Sequence, residues 1–191
     1  MARKKPMNKT SRTAILAGWT GRSRVLGVRP QRPSPESKVS TIMEAVLVAE
    51  SGKWYQLGSR EFHTQDGDVF GSVTGDRSPV HSDANYARAK TPFDMPVVPG
   101  MLVVSTVLGK MYEAGLWEDR MPVLSGSEQV RFYEPAFYGK ELIYFIRPTI
   151  AADNKSSIKF HVAFEVRDSE KTVLVSGSYM LSQKKPGASV P

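Results

Sequence analysis

The hydrophobic period changes once, at Pro122, and that change constrains the fold more than any other feature of the chain. Beyond it, residues 123–133, 140–150, 156–168 and 171–183 alternate with period 2, separated by turns at 135–139, 152–154 and 168–170. The clearest segment sets Ile158, Phe160, Val162, Phe164 and Val166 on one side and Lys159, His161, Glu165 and Arg167 on the other. A strand with one apolar and one polar face belongs to an antiparallel sheet covered on one side. Before Pro122 the period is helical. Pro99-Gly100 opens a helix over about residues 100–115, with Met101, Val104, Leu108, Met111 and Tyr112 on one face and Val103 and Val107 beside it. So wide an apolar surface predicts a helix covered on most sides, stopped at Gly115. The expected class is α+β, an antiparallel sheet wrapped around one long helix.

Two further elements are expected upstream. Residues 42–48 are rich in β-formers and predict a first strand. Phe62, Asp66, Val69, Phe70 and Val73 recur at spacings of 3, 4 and 7, which predicts a short amphipathic helix from near Thr64 to Gly75.

The chain of 191 residues is long enough for one ordinary core, placed over residues 39–184, with a short tail over 185–191. It contains no cysteine, which removes thiolate zinc sites, iron–sulfur clusters and cysteine nucleophiles. The net charge of +7 invites a nucleic-acid reading, but its distribution argues otherwise. Residues 1–38 hold ten Lys/Arg against one acid, leaving 16 basic and 18 acidic side chains for the rest. The body therefore has no basic excess with which to grip a phosphate backbone, and no nucleic-acid partner is expected. The extension itself ends in the Pro-rich run Arg29-Pro30-Gln31-Arg32-Pro33-Ser34-Pro35, which predicts an extended linker. It fits either a basic arm or an organelle transit peptide, so the expected place is the cytoplasm, or the mitochondrion if the extension is an address. The most apolar run, residues 97–112, is shorter than the roughly 20 residues of a membrane span.

The chain has three histidines. His161 falls on the polar face of a strand and His63 near a helix start, both ordinary surface positions. His81 lies in Gly75-Asp76-Arg77-Ser78-Pro79-Val80-His81-Ser82-Asp83, five residues after Asp76, with Pro79 stiffening the connection. A carboxylate and an imidazole aimed into one cavity can hold a water and move protons both ways. Capping and turn hydrogen bonds are the alternative use of such a loop.

The stretch from Phe70 to Asp83, then Tyr86-Ala87, then Val97-Val98-Pro99-Gly100-Met101-Leu102, resembles the MaoC-like family of (R)-specific enoyl-thioester hydratases and 3-hydroxyacyl-thioester dehydratases. Further on, Val130-Arg131-Phe132-Tyr133-Glu134-Pro135-Ala136-Phe137-Tyr138-Gly139 is similar to that family's R-F-x-x-P-x-x-x-G segment. The chain departs from the pattern at Ser78, where asparagine is usual, at Pro99, where histidine is commoner, and at Lys140, where an acid is expected.

The resemblance implies a hot-dog fold and a cofactor-free, metal-free hydro-lyase, with Asp76 and His81 as the catalytic pair acting at C2–C3 of an acyl-CoA or acyl-carrier-protein thioester. It also implies a homodimer or higher homo-oligomer, since an open sheet edge needs cover. The free N–H groups at the start of the central helix make Gly100 and Met101 oxyanion candidates, although Pro99-Gly100 equally suits a clean helix start. Ser78, Val97, Val98 and Leu102 are substrate-binding candidates, the apolar ones also credible as core. Arg77, Arg88 and Lys90 are candidates for the carrier's phosphates or are scattered surface charges. A hot-dog thioester hydrolase and a non-catalytic thioester-binding subunit are the rival readings. The hydrolase is disfavoured because the central helix carries no carboxylate before Glu113.

Overall fold

The computed structural model describes residues 41–117 and 120–185. The basic extension, residues 1–38, and residues 186–191 of the tail lie outside the described residues. The period-2 half forms four strands close to the expected bounds: β2 (Val123–Phe132), β3 (Glu141–Asp153), β4 (Ser157–Arg167) and β5 (Val173–Lys184). A fifth, β1 (Tyr55–Glu61), completes an antiparallel sheet of order β1-β3-β4-β5-β2. The alternation seen in the sequence is the burial pattern. Phe160, Val162, Phe164 and Val166 of β4 are buried, as are Leu142, Tyr144 and Ile146 of β3 and Tyr179 and Leu181 of β5.

The helix α4 (Gly100–Glu113) supplies the other side of this core through Val103, Val104, Val107 and Met111, spaced at three and four residues. The Tyr179 hydroxyl of β5 donates to Val104 O at 2.7 Å, tying the sheet to the helix backbone. Gly115 ends the turn with φ of 71°, which glycine adopts without the Cβ penalty. One expectation fails here: α4 is not covered on most sides by this chain. Met101 and Tyr112 are 55% and 66% exposed, because the sheet packs on one stripe only.

Two other expectations are corrected. The predicted strand at residues 42–48 is the helix α1 (Ile42–Glu50). Thr41 caps it, its hydroxyl accepting from Glu44 N–H, and Ile42, Ala45, Val46 and Ala49 are buried at helical spacing where α1 packs on β3. The cap and the periodic burial outweigh the β propensity of the individual residues. Helix α2 (Thr64–Thr74) forms where predicted but presents a different face. Val69 and Val73 are exposed and Gly67 and Gly71 are buried. A Cβ on Gly67 would meet the Tyr138 hydroxyl, and one on Gly71 would lie 2.7 Å from Asp76 O. The helix is seated on its glycines because the chain approaches too closely there for any side chain. Two elements had no expectation at all: β1 and the short helix α3 (Ala84–Lys90), capped by the Asp83 carboxylate.

Burial raises the Tyr144 and Tyr179 hydroxyls well above the ordinary tyrosine pKa. The folded chain therefore keeps both protons above pH 10, where the unfolded chain loses them. With fewer protons bound in the unfolded state, stability falls as pH rises. Their contribution is intact below about pH 10 and declines above it by up to about 1.4 kcal/mol per pH unit per tyrosine. Urea-unfolding midpoints between pH 8 and 11 check this; a flat profile would contradict the burial of both rings.

Candidate active site

Helix α2 ends abruptly. Gly75 takes φ of 82° and its N–H returns to Gly71 O at 3.0 Å, so the chain turns back over the glycine face of α2 at Asp76. One carboxylate oxygen of Asp76 accepts from Ser78 N–H at 3.3 Å, an Asx turn that steadies the loop. Pro79–His81 forms one 3-10 turn closed by His81 N–H on Ser78 O. Ser78, in the place of the usual asparagine, serves here through its backbone.

The turn brings His81 Nε2 to 3.7 Å from Asp76 Oδ2. That is too long for a direct hydrogen bond and suits two groups sharing one water. The other ring nitrogen, Nδ1, is 2.9 Å from Val97 O. A carbonyl can only accept, so Nδ1 carries a proton there, and Nε2 is the nitrogen turned toward Asp76. Imidazole and carboxylate differ in exposure, at 18% and 46% of their side chains. The pair thus joins a sunken, oriented imidazole to a more open carboxylate.

A cleft of about 290 Å³ opens over the pair, bounded by Gly67, Gly71 and Ser72 of α2 and by Asp76, Ser78 and His81 of the loop. Arg77 and Asp68 stand at it with opposite charge, and Ser82 completes the rim. Gly67, Asp68, Gly71, Ser72 and Ser82 are not among the residues that sequence reasoning picks out. The signal for two of them is present: glycines four apart on one helix mark a face that something must approach closely. Tyr138 backs this face, its buried hydroxyl lying against Gly67 without a hydrogen-bond partner among the described residues.

The remaining candidates separate. Asp76, Ser78 and His81 share the cleft with Arg77. Val97 does not line the cleft: its carbonyl meets His81 and its side chain is buried. Val98 lies in the hydrophobic core and Leu102 packs against that core. The first backbone donors of α4 to find a partner are Leu102 and Val103 N–H, both on Pro99 O. Those of Gly100 and Met101 stand before them, in the part of a helix that has no internal acceptor. Neither residue lines the cleft described by this chain. Arg88 and Lys90 are exposed in the last turn of α3, away from the cleft lining. Lys140 is exposed beyond the Gly139 turn.

His63 stands at the N-terminus of α2, where its backbone N–H donates to Asp66. His161 sits on the outer face of the sheet, in a shallow hollow of about 310 Å³ with Trp54, Arg131 and Glu165. Glu165 is engaged by Arg167, so no acid–base pair forms there. Among the described residues, no group of three His, Asp or Glu side chains is placed to hold a metal ion.

Compared with protein families, residues 41–171 match the MaoC like domain. A comparison with curated proteins returned no match. Among solved structures the chain is similar to a monoamine oxidase regulatory protein from Archaeoglobus fulgidus, at 24% identity and a TM-score of 0.61 over 70% of this chain and 89% of that one. It is similar to the (R)-hydratase PhaJ1 of Pseudomonas aeruginosa, at 22% identity and a TM-score of 0.54 over 73% and 88% of the two chains. A Mycobacterium tuberculosis protein with a double hot-dog fold matches at 12% identity and a TM-score of 0.55, over 73% of this chain and 43% of that one. Identities this low speak for the fold.

Proposed function

The chain belongs to the MaoC-like domain family and has the hot-dog fold, and from this premise we propose that it is a hydro-lyase of acyl thioesters. It adds water across C2–C3 of a 2-enoyl thioester, or removes it from an (R)-3-hydroxyacyl thioester, with the acyl group carried on coenzyme A or a carrier protein. The observation that carries the reading is the pair itself: His81 Nε2 and Asp76 Oδ2 face each other at 3.7 Å in an open cleft, with the ring held by Val97 O. The similarity in fold to an (R)-hydratase supports the stereochemical course.

The proton balance fits a pair. In hydration the hydroxyl of water bonds to C3, one proton of that water goes to one member, and the other member delivers a proton to C2. One proton enters the pair and one leaves, so the pair ends with its charge unchanged and serves both directions. The assignment of acid and base belongs to the two groups together. Negative charge that builds on the thioester oxygen is met by the free N–H groups of Gly100 and Met101, aligned with the α4 dipole. Val97 connects these groups along the chain: its carbonyl accepts from His81, and α4 begins three residues later. Arg77 stands at the cleft, and we take it as the contact for a phosphate of the carrier. No other carboxylate competes for the role along α4: Glu113 lies at its last turn and is paired with Lys110.

The test uses a short 2-enoyl-CoA. Loss of the conjugated-thioester absorbance without release of free thiol is the expected result. Thiol release would identify a hydrolase, and neither signal would identify a binding subunit.

The sheet also leaves an edge to cover. Among the described residues, strand β2 pairs only with β5, and Val123 and Leu124 at its start are 69% and 44% exposed. We expect two copies to join at this edge. Light scattering should give twice the chain mass for the wild type and a large shift to monomer for Leu124→Glu. A monomeric wild type at tens of micromolar would overturn this.

A further inference from the structure

The segment from the end of β2 to Gly139 resembles a family motif, yet none of its side chains enters the proton chemistry. Its contacts give it a role. Val98 N–H donates to Ala136 O at 2.7 Å, and Val97 pairs with Phe137 as an isolated antiparallel bridge. Phe137 is itself held by an edge contact with Phe93, and Gly139 N–H donates to Phe62 O. Residues 97 and 98 are therefore gripped on one side by His81 and Val80 and on the other by this segment.

Two residues further on, the same segment touches the start of α4. The Phe132 ring lies so close to Gly100 that a Cβ there would be 2.6 Å from Cε1 and 3.1 Å from Cδ1 and Cζ. Phe132 is half-exposed, so this ring is not core filling: its packed face is the one on Gly100. We propose that Phe132 is a positioning residue of the thioester site, holding Gly100, the first residue of α4, and through it the N–H groups that meet the oxyanion. The ring packed where a Gly100 side chain would stand fixes the helix end to which an oxyanion must bond. Glycine at position 100 follows from the same contact, since any side chain would push the ring away.

The inference rests on the hydro-lyase reading and is tested by steady-state kinetics on a short 2-enoyl-CoA. Phe132→Ala should lower kcat by about tenfold to a hundredfold, the range for a displaced oxyanion donor. KM should stay within about threefold, and the pH–rate profile should keep its wild-type shape because Asp76 and His81 are untouched. Phe132→Leu, which keeps an apolar body over Gly100, should recover most of kcat. Gly100→Ala should reproduce the loss, and the double variant with Phe132→Ala should be no slower than the slower single one. Should Phe132→Ala fail to fold, Phe132→Leu and Gly100→Ala carry the same comparison. Phe132→Ala with kcat within twofold of wild type, or a loss confined to KM, overturns the inference and leaves the hydro-lyase reading standing. A wild type that hydrates no enoyl thioester overturns both.

Discussion

Asp76→Asn and His81→Ala should each lower hydratase turnover by about 10³-fold while leaving the fold intact, the span expected for loss of a general acid or base. The two variants isolate chemistry from architecture. Asp76→Asn keeps an oxygen that can accept from Ser78 N–H, so the Asx turn survives, but the amide can no longer carry the negative charge or take a proton. His81→Ala removes Nε2 from beside Asp76 and frees Val97 O, while the 3-10 turn keeps its backbone bond to Ser78 O. Asp76 is exposed and His81 lies outside the core, so melting temperatures should move by only a few degrees. Under the proposed mechanism the two groups act as one unit, so their losses should not multiply, and the double variant should resemble the slower single variant. Circular dichroism beside single-turnover kinetics makes the measurement. Retention of more than a tenth of wild-type kcat by both single variants would remove the pair from the mechanism.

The second large effect is on stability. Phe160→Ala should cost about 3–5 kcal/mol, the range for an aromatic ring deleted from a core that cannot collapse. Phe160 is wholly buried in the first half of β4, between Ile150 and Leu181 on the neighbouring strands, with its ring set edgewise to Trp117 at 5.9 Å. Lys159→Ala, one residue away on the opposite face, should change stability by no more than about 0.5 kcal/mol. The contrast tests the strand's register directly, since a slip of one residue exchanges the two faces. Urea unfolding of both variants is the check. A cost below about 1 kcal/mol for Phe160→Ala would mean that this face is not the one packed on α4.

How far the sequence was legible varies by element, for physical reasons. Strand β4 was plain because it is buried on one face and wet on the other, and that asymmetry is written into alternate residues. Strand β1 was invisible because only Leu57 along it is buried; it is a strand because β3 offers it a ladder from Tyr55 to Glu61. Residues 42–48 misled because β-branched side chains suit either element. The tie is broken by the Thr41 cap and by which of those residues α1 lays on β3. On α2 the apolar pattern pointed to the exposed side, because the contact that seats the helix is made by residues without side chains.

The candidate site divides in the same way. That Asp76 and His81 stand close together was legible because a tight loop, with a left-handed glycine before it and a proline within it, keeps residues five apart near each other. Their reading as a catalytic pair came from the family resemblance. By itself the sequence determined the sheet-on-helix plan, the carboxylate–imidazole pair, and the confinement of the positive charge to residues 1–38. Only the tertiary structure decided how that pair is set: the proton on Nδ1, the 3.7 Å gap at Nε2, and the ring resting on Gly100. Each depends on a partner far along the chain, Val97 sixteen residues after His81 and Phe132 thirty-two after Gly100. Local periodicity carries no record of such a partner; the chain must first fold to bring it there.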